Sequence, residues 1–260
     1  MKLLAGLLAL VAITLAGGVA ASGQDLFRGW RRPALEVADN EPYDGRVTFA
    51  RLRYASGFGG FERRWGGGEP GWAHDYPTAD LHMMKILNEL TLLRPRIDAS
   101  HVFSLADPEL HRYPIAYMSE PGFWLPEQDE VEGLRRYLAK GGFIIFDDFR
   151  GADWDNLVEQ MRRVLPDAHW LELDGTDPVF NSFFSIEDPQ AMTPPYGGMT
   201  PAFYGLFEDN DRRRRLMAIA NVNNDLGEYW EFSDTGYAPV DLSNQAYKFG
   251  INYFMYALTH

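Results

Sequence analysis

The 260-residue sequence contains no cysteine. This absence excludes disulfides, zinc–thiolate and iron–sulfur sites, and any cysteine nucleophile. Basic residues are also scarce, since 24 Lys and Arg stand against 37 Asp and Glu and give a formal net charge of −13. A nucleic-acid-binding protein needs a basic stripe that neutralises phosphates. The charge balance therefore argues against a nucleic-acid partner.

Motifs that would define a reaction are missing as well. The chain has no G-x-S-x-G nucleophile elbow and no P-loop. No histidine occurs between His169 and His260. No zinc signature such as H-E-x-x-H is present either, so the sequence assigns no metal site and no cofactor.

The first residues have the pattern of an export signal. Lys2 precedes an apolar run from Leu3 to Ala16, and small residues continue to Ala21. This pattern predicts a signal peptide over residues 1–21, cleaved between Ala20 and Ser22, and hence a periplasmic or secreted protein. The alternative is an uncleaved leader that anchors the chain, which would be its one contact with a membrane.

The rest of the chain predicts one α/β domain over residues 46–260, after an N-terminal arm at 22–45. Alternating strands and helices of ten or more residues are typical of βαβ units around a parallel sheet. Residues 192–205 are predicted as a loop, and 216–221 and 229–232 as a hairpin-like pair. The remaining predicted strands are 47–54, 100–105, 115–119, 143–146 and 169–173, and the predicted helices are 78–93, 126–140, 154–164 and 245–258.

Four segments carry a family resemblance: GWAHDYPTADLHMMKILNELT at 71–91, YPIAYMSEPGFWLPEQDEVEGLRRYLAKGGFIIFDDF at 113–149, DPVFNSFF at 177–184, and the stretch from AIANVNNDLGEYWEF at 218–232 through YKFGINYFMYALTH at 247–260. They resemble a bacterial domain-of-unknown-function family, DUF4159. The resemblance implies a flavodoxin-like, class I glutamine amidotransferase-like domain of three layers with a mostly parallel central sheet. The family has no established activity, so the resemblance implies a fold and no reaction.

The wider similarity to amidotransferases also excludes their chemistry. The similarity is to the trehalose-utilisation-type branch of that fold, in which a helix leads through two glycines into an apolar strand and functional residues stand just after it. In true glutaminases the turn after the corresponding strand presents a cysteine. The similar segment here runs through Gly141 and Gly142 and ends in Asp147 and Asp148. The late histidine is missing too, so this chain is not a glutamine amidotransferase.

Asp147 and Asp148 are the first candidates for a functional site. In parallel sheets, ligands bind outside the carboxyl ends of the strands, where this pair is predicted to lie. Two close carboxylates can share a proton or bind a cation. The structural alternative is that one caps a turn while the other is solvated.

The segment from His74 to His82 supplies the second group of candidates, at the start of the predicted helix 78–93. Imidazole and carboxylate side chains can act as general acid and base or as metal ligands. We take His74 and Asp75 as catalytic candidates beside the aspartate pair, and Asp80 and His82 as ligand-binding candidates. Capping by Thr78 or Asp80, with His82 packed on the sheet, is the structural alternative.

Aromatic residues on the predicted loops form a third group. Aromatic faces flanked by carboxylates suit sugar rings, although aromatic side chains also pin long loops by packing. The polar segment 221–228 is either a ligand-contacting loop or a turn. Glu120 joins Trp72, Tyr76 and Trp124 as predicted ligand-binding residues, within the wider aromatic set Trp65, Trp72, Tyr76, Phe123, Trp124 and Tyr196.

Two functional hypotheses follow. The first is an exported ligand-binding module for a small molecule, a glycan or another envelope component. The alternative is a hydrolase, metal-assisted in one version, that uses Asp147 or Asp148 with His74 or His82. The two differ in one observable, because convergence of these side chains in one pocket favours the enzyme. The oligomeric state is not specified by the sequence.

Overall fold

The computed structural model describes residues 35–55 and 70–260. Within it, Ala38–His260 form one compact unit. The predicted leader at 1–21, most of the predicted arm at 22–45, and Trp65 lie outside the described residues.

A seven-stranded sheet with the order β2-β1-β3-β4-β7-β6-β5 forms the centre of the unit. In this order the pairs β2–β1, β1–β3, β3–β4 and β4–β7 are parallel, whereas β6 runs antiparallel to both β7 and β5. The predicted mixed, mostly parallel α/β sheet is therefore confirmed. The strands are β1 Ala50–Leu52, β2 His101–Phe103, β3 Ile115–Ser119, β4 Phe143–Phe149, β5 Leu171–Glu172, β6 Ala202–Phe207 and β7 Leu216–Val222.

Within residues 35–55 and 70–260, five α-helices flank the sheet: α1 Thr78–Leu90, α2 Gln128–Ala139, α3 Asp153–Val164, α4 Leu226–Glu231 and α5 Val240–Thr259. Helices α1, α4 and α5 pack on one another, and α2 packs on α3. Side chains of a strand alternate between faces, so β4 contributes to two packing layers. Phe143 and Ile145 join the core beside α1 and α5, whereas Phe146 packs on Trp124 and Trp170. None of the helices in the described part of the chain is long and apolar enough to cross a membrane.

Helix α2 shows how local sequence sets an element. The Glu130 carboxylate accepts a hydrogen bond from the Glu127 N–H at 3.2 Å, which satisfies one of the amides that a helix start leaves unpaired. Val131, Leu134 and Leu138 are buried along one stripe. Gly141 follows at φ 101°, a left-handed conformation that glycine adopts without steric cost.

Two predictions about the later part of the chain are wrong. Residues 229–232 were predicted as a strand, but Leu226–Glu231 is helix α4. The loop predicted at 192–205 includes the start of β6, and it is β6 that pairs with β7. The Asp225 side chain accepts the Glu228 N–H at 2.8 Å, a capping interaction that starts α4 where apolar and aromatic residues resemble a strand.

A buried ion pair connects β1 to the segment that follows it. Arg51 and Asp80 are both 0% exposed, and the Arg51 Nε lies 3.1 and 3.0 Å from the two Asp80 carboxylate oxygens. The Arg51 Nη1 donates to the main-chain oxygens of Trp72, at 3.1 Å, and His74, at 2.8 Å. Burial would lower the pKa of Arg51, but the charge and hydrogen bonds of Asp80 outweigh it and raise that pKa. Arg51 thus holds the 71–75 segment and the start of α1 against the sheet.

The variant Arg51→Met tests this role. It leaves the Asp80 carboxylate buried without its partner, and we expect the free energy of unfolding to fall by about 3–5 kcal/mol. Chemical denaturation measures the change. Arg162→Ala is the control, because the Arg162–Glu159 pair is exposed and such pairs contribute at most about 1 kcal/mol. A loss for Arg51→Met no larger than that of the control would contradict the role.

Candidate functional site

The carboxyl ends of β1, β3, β4 and β7 meet at one edge of the sheet. The chain leaves β1 toward β2 on one side and returns as β3 on the other, which is where a parallel sheet opens a crevice. A cleft of about 570 Å³ lies along this edge. Its polar lining residues include His74, Glu120, Asp148, Arg150, Tyr196, Asp225 and Glu228.

Asp147 and Asp148, adjacent in sequence, occupy different environments. The pairing of β4 with β7 shifts register between Phe146 and Phe149, and Asp148 has a left-handed backbone with φ 59°. This irregularity directs Asp148 into the cleft. Asp147 instead contacts the core and the start of α4.

Asp147 is a structural residue, because its carboxylate is saturated with donors. One oxygen accepts the Tyr117 hydroxyl at 2.9 Å and the N–H groups of Leu226 and Gly227 at 2.8 and 3.1 Å. The other oxygen accepts the Asn221 side-chain amide at 2.9 Å. Burial raises the pKa of Asp147 to about 6, against the lowering effect of these donors. Asp147 therefore fixes α4 and does not line the cleft.

Asp148 and His74 form the polar centre of the cleft. The His74 Nδ1 lies 2.6 Å from one Asp148 oxygen, which also accepts the Ser119 hydroxyl at 3.1 Å. The Tyr196 hydroxyl donates to the other oxygen. Burial raises the pKa of Asp148, but the charge and hydrogen bonds of its partners outweigh it and place that pKa below its ordinary value. Burial alone would lower the pKa of His74. The charge of Asp148 outweighs burial and raises the pKa of His74 to about 11.

Three more carboxyl groups surround this pair without matching positive charges. Asp75 is 5% exposed, and neither of its carboxylate oxygens accepts a hydrogen bond from the described residues. Burial raises the pKa of Asp75 and of Asp225 well above their ordinary range, and the Asp148 charge raises both further. The same two causes raise the pKa of Glu120 to about 9. The cleft thus concentrates acidic groups, and the basic side chains among its described lining residues are His74 and Arg150.

Four of these residues could hold one cation. His74, Asp75, Asp148 and Asp225 each offer a nitrogen or oxygen atom, and these atoms all lie within 4.8 Å of one another. One imidazole with three carboxylates suits a divalent cation such as Mn²⁺, Mg²⁺ or Zn²⁺. The Asp75 carboxylate fits this interpretation, because it accepts no hydrogen bond from the described residues and the His74 Nδ1 is 3.7 Å from its Oδ1. A buried carboxylate without hydrogen-bond donors costs several kcal/mol.

The cleft contains only part of the predicted ligand-binding set. Glu120 lines it. Asp80 and Trp72 instead bind Arg51, whose guanidinium lies 5.9 Å from the centre of the Tyr76 ring. The Asp80 carboxylate, the Trp72 main-chain oxygen and the Tyr76 ring thus surround Arg51 and do not line the cleft, and the predicted capping of α1 by Thr78 or Asp80 is not observed either.

His82 and Trp124 lie away from the cleft as well. The His82 Nδ1 is 2.9 Å from the Trp230 carbonyl oxygen, and His82 lines a separate groove between α1 and α5. Trp124 is 0% exposed and packs on Phe146. His82 therefore cannot act with Asp148 in one pocket, whereas His74 can.

Two site residues were not among the candidates predicted for the site from the sequence. Asp225 lies in the polar segment 221–228, which was predicted as either a ligand-contacting loop or a turn, and an aspartate before a helix was the available signal. Ser119 ends a strand beside β4 and gave no signal of its own. Tyr196, from the aromatic set, reaches Asp148 from a distant loop and also packs under Arg150, whose guanidinium lies 4.4 Å from its ring centre.

A comparison with known families now gives the fold and the cleft a context. The family model described as a domain of unknown function, DUF4159, matches residues 48–258. The chain therefore belongs to the DUF4159 family. A search of curated proteins finds no match.

The pH dependence of stability tests the environment of Glu120. Its pKa rises from an ordinary 4.5 to about 9, so between these values the folded protein keeps a proton that the unfolded chain releases. Stability is therefore lost as pH rises through this window, by up to about 1.4 kcal/mol per pH unit from this group. In metal-free protein we expect Glu120→Gln to unfold at higher denaturant concentration than the parent at pH 9, and to differ little from it at pH 5.

The control is Glu159→Gln, because Glu159 is exposed on α3. Its stability should follow the parent across the pH range. If Glu120→Gln also ran parallel to the parent from pH 5 to 9, the Glu120 carboxyl would not be perturbed in this way.

Proposed function

We propose that the cleft is the active site of a divalent-cation-dependent hydrolase. The carrying observation is the convergence of His74, Asp75, Asp148 and Asp225 around one position, with both Asp75 oxygens lacking hydrogen bonds from the described residues. The sequence alone assigned no metal, because these ligands come from three separated segments. Of the two functional hypotheses, this convergence favours the hydrolase with Asp148 and His74.

The residues around the cation position have complementary tasks in this proposal. A cation held there would polarise a substrate oxygen and lower the pKa of a bound water. Ser119 and Tyr196 hold the Asp148 carboxylate in a fixed orientation. Glu120 lines the cleft beside this position, where its carboxyl group can exchange a proton with a leaving group.

A non-catalytic binding role for the same cleft is the second candidate. It is supported by the rim, where Tyr196, Phe123 and Met199 line the cleft beside Arg150. Aromatic and apolar faces next to carboxylates suit a glycan or another envelope component. A binding module would hold a cation and a ligand without turning the ligand over.

Two broader assignments remain proposals. The flavodoxin-like, amidotransferase-like fold is supported by the strand order β2-β1-β3-β4, which is the order of the first strands in flavodoxin-like sheets. Export to the periplasm or beyond is supported by the leader pattern at residues 1–21.

The variant Asp148→Asn tests the proposed site. We expect Mn²⁺, Mg²⁺ or Zn²⁺ to raise the thermal midpoint of chelator-treated parent protein, since a ligand at about 100 times its Kd stabilises by about 2.7 kcal/mol. Asp148→Asn should lose this shift and any cation-dependent hydrolysis of chromogenic carboxylate esters, phosphate esters and glycosides. Glu159→Gln should keep both, because Glu159 lies on the exposed side of α3.

The outcomes separate the two candidates. A cation shift without hydrolysis of any substrate class would favour the binding module. The absence of a shift with all the cations, or an equal shift in Asp148→Asn, would refute the cation site.

A further inference from the structure

The arrangement of carboxylates around Asp75 extends beyond one cation position. Asp75 has a left-handed backbone with φ 64°, and its carbonyl oxygen accepts the Ala79 N–H at 2.9 Å at the start of α1. The preceding carbonyl, of His74, is bound by Arg51. The main chain on both sides of the Asp75 side chain is thus fixed, and the buried Asp75 carboxylate lies beside the cleft-lining residues His74, Asp148 and Asp225.

A second group of carboxylates meets Asp75 from α4. Asp75, Glu228 and Glu231 each offer one oxygen, and these oxygens lie within 4.8 Å of one another. Glu228 and Glu231 are three residues apart on the helix, a spacing that places both side chains on the same face. Like charges at this spacing are unfavourable in isolation, and a shared cation would offset the repulsion.

A glycine lets α4 approach Asp75 closely. A Cβ atom on Gly227 would lie 2.5 Å from the Asp75 Oδ2 and 2.8 Å from the Tyr117 hydroxyl. Any side chain at this position would therefore collide with the Asp75 carboxylate. Gly227 directly precedes Glu228, so this close approach brings Glu228 near Asp75.

We propose that Asp75 bridges two divalent cations, one held with His74, Asp148 and Asp225 and the other with Glu228 and Glu231. Each oxygen of the buried Asp75 carboxylate, which accepts no hydrogen bond from the described residues, then serves one cation. Among the described residues, the second position is offered by carboxylates alone, a ligand set that suits a hard cation such as Mg²⁺ or Mn²⁺. This inference rests on the proposed function and makes its site a two-cation centre, with the ions about 3.5–4 Å apart as in enzymes that clamp both the attacking and the leaving oxygen.

Mn²⁺ stoichiometry tests the proposal. Chelator-treated full-length protein should bind two Mn²⁺ per chain in calorimetric titration, and its electron paramagnetic resonance spectrum should show spin coupling between them. The double variant Glu228→Gln/Glu231→Gln should bind one Mn²⁺ with an uncoupled spectrum. Asp75→Asn should lose the coupling and weaken both positions.

The control is Asp155→Asn/Glu159→Gln, which removes two exposed acids from α3 and should still bind two coupled ions. Circular dichroism of the metal-free variants checks the fold, and the single variant Glu231→Gln replaces the double variant if that one fails to fold. One uncoupled Mn²⁺ in the parent, or two in the double variant, would overturn the second position and leave the proposed hydrolase site standing. If the parent bound no Mn²⁺, the two-cation centre would be refuted. The proposed function would also be refuted only if Mg²⁺ and Zn²⁺ gave no thermal shift either.

Discussion

The buried pair of Arg51 and Asp80 is the interaction on which the cleft depends. A guanidinium in the middle of a short strand is costly to bury, and here it is compensated by one carboxylate and by main-chain carbonyls of the following segment. That segment carries His74 and Asp75 to the carboxyl edge of the sheet. The charge buried in β1 therefore determines where two cleft residues stand, although Arg51 itself does not line the cleft.

The second organising constraint is an excess of negative charge at the same edge. Neutral protein interiors do not tolerate several ionised carboxylates within a few ångströms, so either protons or cations must accompany them. The Asp148 carboxylate is hydrogen-bonded to His74, Ser119 and Tyr196, whereas the Asp75 carboxylate has no hydrogen-bond donor among the described residues. This asymmetry distinguishes a carboxylate that is part of the fold from one that requires a further partner.

The sequence predicted the elements whose patterns are local and missed those that tertiary contacts decide. The 126–140 helix was recognisable from its acidic start, its buried stripe and its terminal glycine, and α2 lies within it. Helix α4 was not, because its first amides are bound by Asp147, nearly eighty residues earlier in the chain. The same reason explains the aspartate pair: residue types indicated a site, but only the register shift in β4 separates the structural Asp147 from the cleft-facing Asp148.

Helix α4 has only six residues, and a helix of that length does not persist alone in water. The Asp147 and Asp225 carboxylates accept hydrogen bonds from the N–H groups of Gly227 and Glu228 and so stabilise the start of the helix. The helix also brings Glu228 and Glu231 close to Asp75. A cation held by these acids would bind the folded helix and not the unfolded one, so at the proposed site local unfolding of α4 would be linked to occupancy of the cleft. Hydrogen exchange of the α4 amides would then slow when the cation binds.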